Sequence, residues 1–359
     1  MKKEFKIGNK MVGEGHPALI IAEISANHNG NFEKAKELVK QACFSCADVI
    51  KIQTYTPDTM TLNAESEPFQ VNVNDAWKGQ TLYHLYQIAQ TPWEWYDELE
   101  KIAKNNGKML IGTPYDLSAV DFLEKKNCPF YKIASFEATD INLLKKIAQT
   151  KKPVVIARGM TSFEELSLAL AVLKENGAND IAVLHCVSAY PTKIDDLNLL
   201  TIPEIQNKFP DVVVGLSDHS LSVISGSVGV ALGAKIIERH FTLNRKDGGV
   251  DAAFSLEPSE FSLMVKEIRE TEKMLGKPFL GTAESEKENK QFRRSLWAIK
   301  DIKKGEKFTE DNIGSFRPAI GLEPKYLNDV LGEKASCDIE FGTPLVWALV
   351  KQGTDPPEN

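Results

Sequence analysis

The sequence predicts an α/β fold, a (β/α)8 TIM barrel followed by a small, mostly β domain. Three observations predict it. Eight short apolar runs each end in polar residues and lead into a charged, helix-like stretch, the alternation expected of a parallel sheet covered by helices. Two of the six histidines, His219 and His240, stand at the ends of successive runs, where a barrel of this kind gathers its chemistry. Past residue 280 the long amphipathic stretches give way to short segments separated by Gly-rich turns.

In chain order the runs are "ALIIAEIS" (18–25), "DVIKIQTY" (48–55), "KMLIGTPY" (108–115), "FYKIASFE" (130–137), "PVVIARGM" (153–160), "IAVLHCVS" (181–188), "DVVVGLSD" (211–218) and "AKIIERHF" (234–241). Between them, "NFEKAKELVKQA", "SFEELSLALAVLKEN" and "SLSVISGSVGVALG" are amphipathic and long enough for crossover helices. The connection between Tyr55 and Lys108 is much longer and reads as an inserted loop or lid over the barrel mouth. "PSEFSLMVKEIRETEKMLG" (258–276) supplies a final helix. These signals set a barrel at 1–280, a polar linker at 281–292 and a small domain at 293–359 with no helix of any length.

At 42% hydrophobic and 26% charged residues the 359-residue chain has an ordinary globular composition, and no apolar run is long enough to cross a membrane. "MKKEFKIGNK" has no apolar segment behind it, so it is not read as a secretory signal, and a cytoplasmic location is expected. Five irregularly spaced cysteines argue against a disulfide framework. Cys43 and Cys46 form a lone CxxC and read as buried structural thiols inside a helix, because a zinc site needs further ligands. A net charge of −7 without a basic block argues against nucleic acid or an anionic membrane as partner. An anion would have to be held by a few placed cations.

Strand alternation groups the polar residues. Glu238 shares a face with His240, Ser217 with His219, Lys51 with Gln53, Ser135 with Glu137, and Ser188 with Tyr190. Two imidazoles on adjacent strands suit a divalent metal completed by water or substrate oxygens. Lys51 and Lys132 interrupt apolar strands, and a buried ammonium needs a carboxylate or a ligand. Glu23 or Glu137 could answer that need structurally; an anionic substrate, with the hydroxyls of Thr113 and Ser135, could answer it functionally. Strict alternation sets Lys132 against Ser135 and Glu137, so all three reach one face only where the strand bulges or has frayed. His185 points to the helix layer by parity, His16 and His84 carry no role, and His28 stands in a loop within reach of the site.

At these residues the chain resembles the sialic acid synthase family, and within it the bacterial pseudaminic acid branch. "IIAEISANHNG", "KIQTYTPDTMTL", "GTPYD", "YKIASFE", "HCVSAYPT", "GLSDHS", "IERHFTL", "GGVDAAFSLEP", "FRRSLWAIKDIKKGE" and "SFRPAIGL" carry the resemblance over nearly the whole chain. It implies a barrel joined to an antifreeze-like (SAF) domain, working as a domain-exchanged homodimer in nonulosonic acid biosynthesis. The implied transferase reaction condenses phosphoenolpyruvate with an N-acetylated amino sugar, 2,4-diacetamido-2,4,6-trideoxy-L-altrose in this branch, and releases phosphate by C–O cleavage. An N-acetylneuraminate or legionaminate synthase is the alternative.

By the same resemblance His219 and His240 hold the metal, Mn2+ or alternatively Mg2+ or Co2+. Lys51, Thr113, Lys132, Ser135, Ser188, Tyr190 and Ser217 surround phosphoenolpyruvate, while Gln53, Tyr190, Asp251 and Arg317 hold the sugar. Glu23 or Glu137 deprotonates the attacking water, with Lys51 and Lys132 assisting. Where the family commonly reads Ser-Thr-Gly this chain has Ala157, Arg158 and Gly159, so a hydroxyl expected near phosphoenolpyruvate is missing, and Arg158 either replaces it as an anion ligand or alters which anion is preferred. A metal-dependent barrel hydrolase leaves the strand lysines unexplained, and a glycan- or ice-binding module conflicts with the charged "KKGEKF" and "EKASCD".

Overall fold

In the computed structural model, which describes residues 4–72 and 78–351, the chain divides into two compact units, Met1–Gly276 and Lys277–Asn359. The first opens with a hairpin the sequence reading did not anticipate, β1 (Glu4–Ile7) antiparallel to β2 (Lys10–Gly13). Its apolar residues Phe5, Ile7 and Val12 join the same core as the strands that follow. Those strands are β3 (Leu19–Glu23), β4 (Val49–Thr54), β5 (Met109–Pro114), β6 (Tyr131–Ile133), β7 (Val154–Ala157), β8 (Ile181–Cys186), β9 (Val213–Asp218) and β10 (Ile236–His240). One lies within each of the eight apolar runs. They form a parallel sheet in the order β5-β4-β3-β10-β9-β8-β7-β6, and β5 and β6 lie against each other, so the sheet returns on itself as a nearly closed barrel.

Crossovers pack outside it: α1 (Phe32–Phe44), then α2 (Pro57–Met60) and α3 (Leu82–Ala89) in the long insert, α4 (Tyr96–Asn105), α5 (Leu117–Lys125), α6 (Ile141–Gln149), α7 (Phe163–Glu175), α8 (Thr201–Lys208), α9 (Ser225–Ala231) and α10 (Pro258–Leu275). Residues 73–77 of the insert lie outside the described residues. Helix α1 shows how sequence sets an element: the Asn31 side chain caps it by accepting from the Lys34 amide, and Ala35, Leu38, Val39 and Ala42 form one buried stripe. Buried Asp48 fastens the lower end, accepting from Lys10 Nζ at 2.6 Å, from the Ile20 amide at 3.0 Å and from Arg269 on α10 at 3.4 Å. Among the described residues no helix is long and apolar enough to cross a membrane.

Cys46 corrects the reading of paired buried thiols. Helix α1 ends at Phe44, and Cys46 follows at φ 67° with an exposed thiol, whereas Cys43 stays inside. In the second unit β11 (Ser295–Ala298) pairs with β12 (Ile313–Phe316), and β13 (Lys334–Ala335) with β14 (Val350–Lys351). A one-turn helix, α11 (Leu327–Val330), is its α-helix among the described residues. Leu296, Ile302, Phe308, Ile313, Val330 and Leu345 make a separate core there.

Candidate active site

The carboxyl ends of the barrel strands surround a cavity of about 510 Å3. Ladder register decides which side chains meet: Glu23 stands beside Lys51 across β3 and β4, His240 beside Glu23, and Glu238 beside Ser217. The two imidazoles converge with ring centroids 5.2 Å apart. His219 Nδ1–H donates to the Val187 carbonyl at 2.9 Å, which leaves the Nε2 lone pair available. His240 Nδ1 is buried without a partner. Burial pushes His219 down to about 4 and His240 well below the usual imidazole range, the latter reinforced by His219, Lys51 and Lys132. Both rings are therefore neutral, the form that binds metal.

Behind them lies a buried charge network. Lys51 contacts Glu23 directly and lies 3.8 Å from Glu238 Oε1; Lys132 lies 3.2 Å from the same oxygen, to which Ser217 donates at 3.1 Å. Burial opposes the charge on Lys51, but Glu23 and Glu238 outweigh it and hold the ammonium above the usual lysine range. Burial likewise opposes ionisation of Glu238, and Lys132 with Lys51 overcomes it, so this carboxyl is held low. Elsewhere burial prevails: Asp251 is raised despite bonds from Ser25 and the Ala26 amide, and Glu137 is pushed up to about 7 against the pull of Lys132.

Four carboxyl groups, Glu23, Glu137, Glu238 and Asp251, line the cavity against two ammonium groups, Lys51 and Lys132. A divalent cation fits that surplus and the orphaned imidazole nitrogen. Among the described residues no cluster of three or more His, Cys, Asp or Glu side chains could hold a metal, so His219 and His240 would leave most of the shell to water or substrate.

Gln53, Ser135, Glu137, Tyr190, Ser217 and Asp251 line this cavity with the lysines and histidines. The conflict between Lys132 and Ser135 resolves because β6 stops at Ile133, and Ser135 and Glu137 sit in the following turn. Thr113 is fully buried behind Lys51, accepting from its Nζ at 3.3 Å, and Ser188 donates to Ser135 at 2.8 Å, so both stand behind the lining. Gly159 permits that serine contact: at φ +49°, a Cβ there would lie 2.4 Å from Ser135 Cβ and 2.7 Å from Ser188 Oγ.

Two expectations move away from the cavity. Arg158 donates through Nε to His185 Nδ1 at 3.3 Å and through Nη1 to the Thr161 carbonyl at 3.4 Å, and it does not line the site. His185 faces outward, its Nε2–H donating to the Leu197 carbonyl at 2.7 Å. His28 is buried elsewhere, donating to Thr91 Oγ1 at 3.1 Å and accepting from the Gly30 amide at 3.0 Å, and burial pushes it down to about 4. Arg317 belongs to the second unit, where it is exposed.

Sequence reasoning missed several contributors. Ser25, at φ 44°, donates its amide to Glu23 at 2.7 Å and its hydroxyl to Asp251, orienting two carboxyl groups at once. Phe254 packs its ring 4.9 Å from His240 and 6.2 Å from His219. Asp218 and Arg239, each beside a site histidine, form a fully buried ion pair on the outer face. The signal that singled out Lys51, a charge inside an apolar run, was equally present for that pair; Phe254 carried none.

Residues 38–279 match the NeuB family, and residues 293–351 match the SAF domain. Over 326 residues, 91% of this chain and 94% of the relative, the sequence is 45% identical to pseudaminic acid synthase of Campylobacter jejuni strain 81-176. It is 42% identical over 331 residues to the protein of that name from Helicobacter pylori, covering 92% of this chain and 96% of the relative. A crystal structure of N-acetylneuraminic acid synthetase from Leptospira borgpetersenii in complex with citrate superposes with a TM-score of 0.71 at 30% identity, covering 80% of this chain and 95% of that one.

Proposed function

The chain belongs to the NeuB family, and from that premise we propose that it is a pseudaminic acid synthase, a transferase condensing phosphoenolpyruvate with 2,4-diacetamido-2,4,6-trideoxy-L-altrose. The observation that carries the reaction class is the meeting of His219 and His240 with Lys51 and Lys132 around Glu238 in one cavity. The choice of sugar is supported by the identity with the two pseudaminic acid synthases.

His219 and His240 hold a divalent ion, Mn2+ in this reading, which when bound supplies Lewis acidity toward the aldehyde oxygen of the open-chain sugar. Lys51 and Lys132 anchor the phosphate and carboxylate of phosphoenolpyruvate, with the Ser135 and Ser217 hydroxyls beside them. Gln53, Tyr190 and Asp251 hold the sugar so that its aldehyde carbon meets C3 of phosphoenolpyruvate. The C2=C3 π pair forms the carbon–carbon bond as the aldehyde C=O π bond opens; its oxygen takes up a proton to become a hydroxyl, and C2 is left electron-poor. Water then adds at C2. Glu137 accepts its proton, because its Oε2 is buried without a partner whereas Glu23 is engaged by Lys51 and the Ser25 amide. The C2–O bond breaks toward phosphate, whose charge stays opposite the two lysines.

Purified protein supplied with phosphoenolpyruvate, this sugar and Mn2+ should release phosphate only when the sugar is present and should stop on chelation. Mass analysis should find the nine-carbon keto acid. Phosphate release without sugar would transfer the site to a hydrolase, and an N-acetylmannosamine-type preference would transfer it to the neuraminate or legionaminate branch. A cytoplasmic homodimer, with Arg317 serving the partner's barrel, completes the proposal.

A further inference from the structure

The insert between β4 and α4 presents an apolar face to the cavity rather than to the barrel core. Leu82, Leu85 and Ala89 recur at the spacing of one helical face on α3, and all three line the cavity together with Met60 and Val71 of the insert and Val250 of the loop after β10. Leu85, Ala89 and Val71 are each 5% exposed, yet none belongs to the barrel's hydrophobic core. Among the described residues the insert brings no charged side chain to the cavity, whose charges come from strand ends, the turn after β6 and Asp251. Leu82, half-buried at the start of this apolar stripe on α3, keeps apolar surface open to the cavity until a ligand with apolar groups covers it.

We propose that the α3 stripe, centred on Leu82 and Leu85, is the wall that selects a 6-deoxy sugar by packing on its C6 methyl and an acetamido methyl. This rests on the synthase reading. With the aldehyde end at His219 and His240, the far end of the open chain extends toward the mouth that the insert covers. A methyl group there displaces water from leucine side chains, while a C6 hydroxyl or phosphate set against Leu82 and Leu85 would lose hydration, the insert's polar lining among the described residues being Gln70, Asn72 and Tyr86. The wall reads the methyl groups and not the configuration, so Gln53 and Asp251 are left to distinguish altro from manno sugars.

The test pairs 2,4-diacetamido-2,4,6-trideoxy-L-altrose with its 6-hydroxy counterpart, each assayed with phosphoenolpyruvate and Mn2+ on the full-length protein. The wild type should favour the deoxy sugar by about 100-fold in kcat/KM, the range set by one group in an apolar pocket. Leu82→Asn should narrow that preference to below about tenfold, leaving the KM for phosphoenolpyruvate unchanged, and Leu82→Met should retain it. Leu82 is half-buried, and circular dichroism checks that both variants fold. Equal use of the two sugars by the wild type, or an undiminished preference in Leu82→Asn, would overturn the assignment while leaving the synthase standing. Failure of both sugars to release phosphate would remove the pseudaminic acid synthase reading itself, and the wall with it.

Discussion

Glu137 is a cavity carboxyl prepared to exchange a proton near neutral pH, because burial pushes it up to about 7 and its Oε2 has no hydrogen-bond partner. Its ionised fraction grows as pH rises through that value, so turnover that needs it as a base should climb over the same interval and level off above it. Glu137→Gln should erase the climb and slow kcat by about a hundred- to ten-thousandfold; a climb that survives would pass the role to Glu23. Stability follows the opposite sign. A folded pKa above the ordinary 4.5 means that this group's contribution is fully present below that value and is lost as pH rises through about 7. Asp218 and Arg239 act at one remove. Alternation turns them outward while His219 and His240 turn inward, and Arg239 Nη1 also grips the Ser222 carbonyl at 2.9 Å and Ser225 Oγ at 2.8 Å. The loop leaving β9 is thereby fastened to β10, which fixes the approach of the two imidazoles. Asp218→Asn should cost about 3–5 kcal/mol by stranding a buried charge and weaken Mn2+ binding about 10- to 100-fold by titration calorimetry. A lower Tm with unchanged Mn2+ affinity would confine the pair to folding.

At the scale of elements, the turn after β7 shows how a site depends on backbone. Gly159→Ala would force a side chain into the left-handed region and against Ser135 and Ser188, so it should destabilise the fold by about 1–3 kcal/mol in urea unfolding and raise the KM for phosphoenolpyruvate. An unchanged KM in the folded variant would take the serine pair out of substrate binding. The eight strands were legible because each is a continuous apolar run flanked by polar residues, and parity correctly turned Lys51, Gln53 and Glu238 inward. Parity failed where a strand ends early: nothing in "FYKIASFE" says that β6 stops at Ile133, and that stop is what lets Lys132 and Ser135 line one cavity. The β1–β2 hairpin escaped because four-residue strands give too short a pattern to register. Arg158 and His28 stayed open in the sequence for another reason: their partners, His185 and Thr91, lie 27 and 63 residues away.

For the whole molecule the question is how a barrel with more carboxyl than ammonium groups in its cavity holds a substrate as anionic as phosphoenolpyruvate. The lining offers Lys51 and Lys132 against four carboxyl groups, so under the proposed function further positive charge would come from the divalent ion and from outside the barrel. Arg317 is a candidate for the second source, an exposed guanidinium whose planar fork suits carboxylate and phosphate. Under the proposed exchange of domains it serves the partner's barrel, and that arrangement has a consequence that action within one chain does not share. Arg317→Ala spoils only the arginine that a chain lends, and Lys51→Ala spoils only the barrel that a chain keeps. Each variant alone should be nearly inactive. Unfolded together and refolded, half of the dimers carry both chains, and one of their two sites unites an intact barrel with an intact arginine, so about a quarter of wild-type activity should return. If Arg317 instead acts on its own chain's barrel, the mixture stays as inactive as its components. If Arg317→Ala alone turns over normally, the small domain lends no charge to the reaction at all.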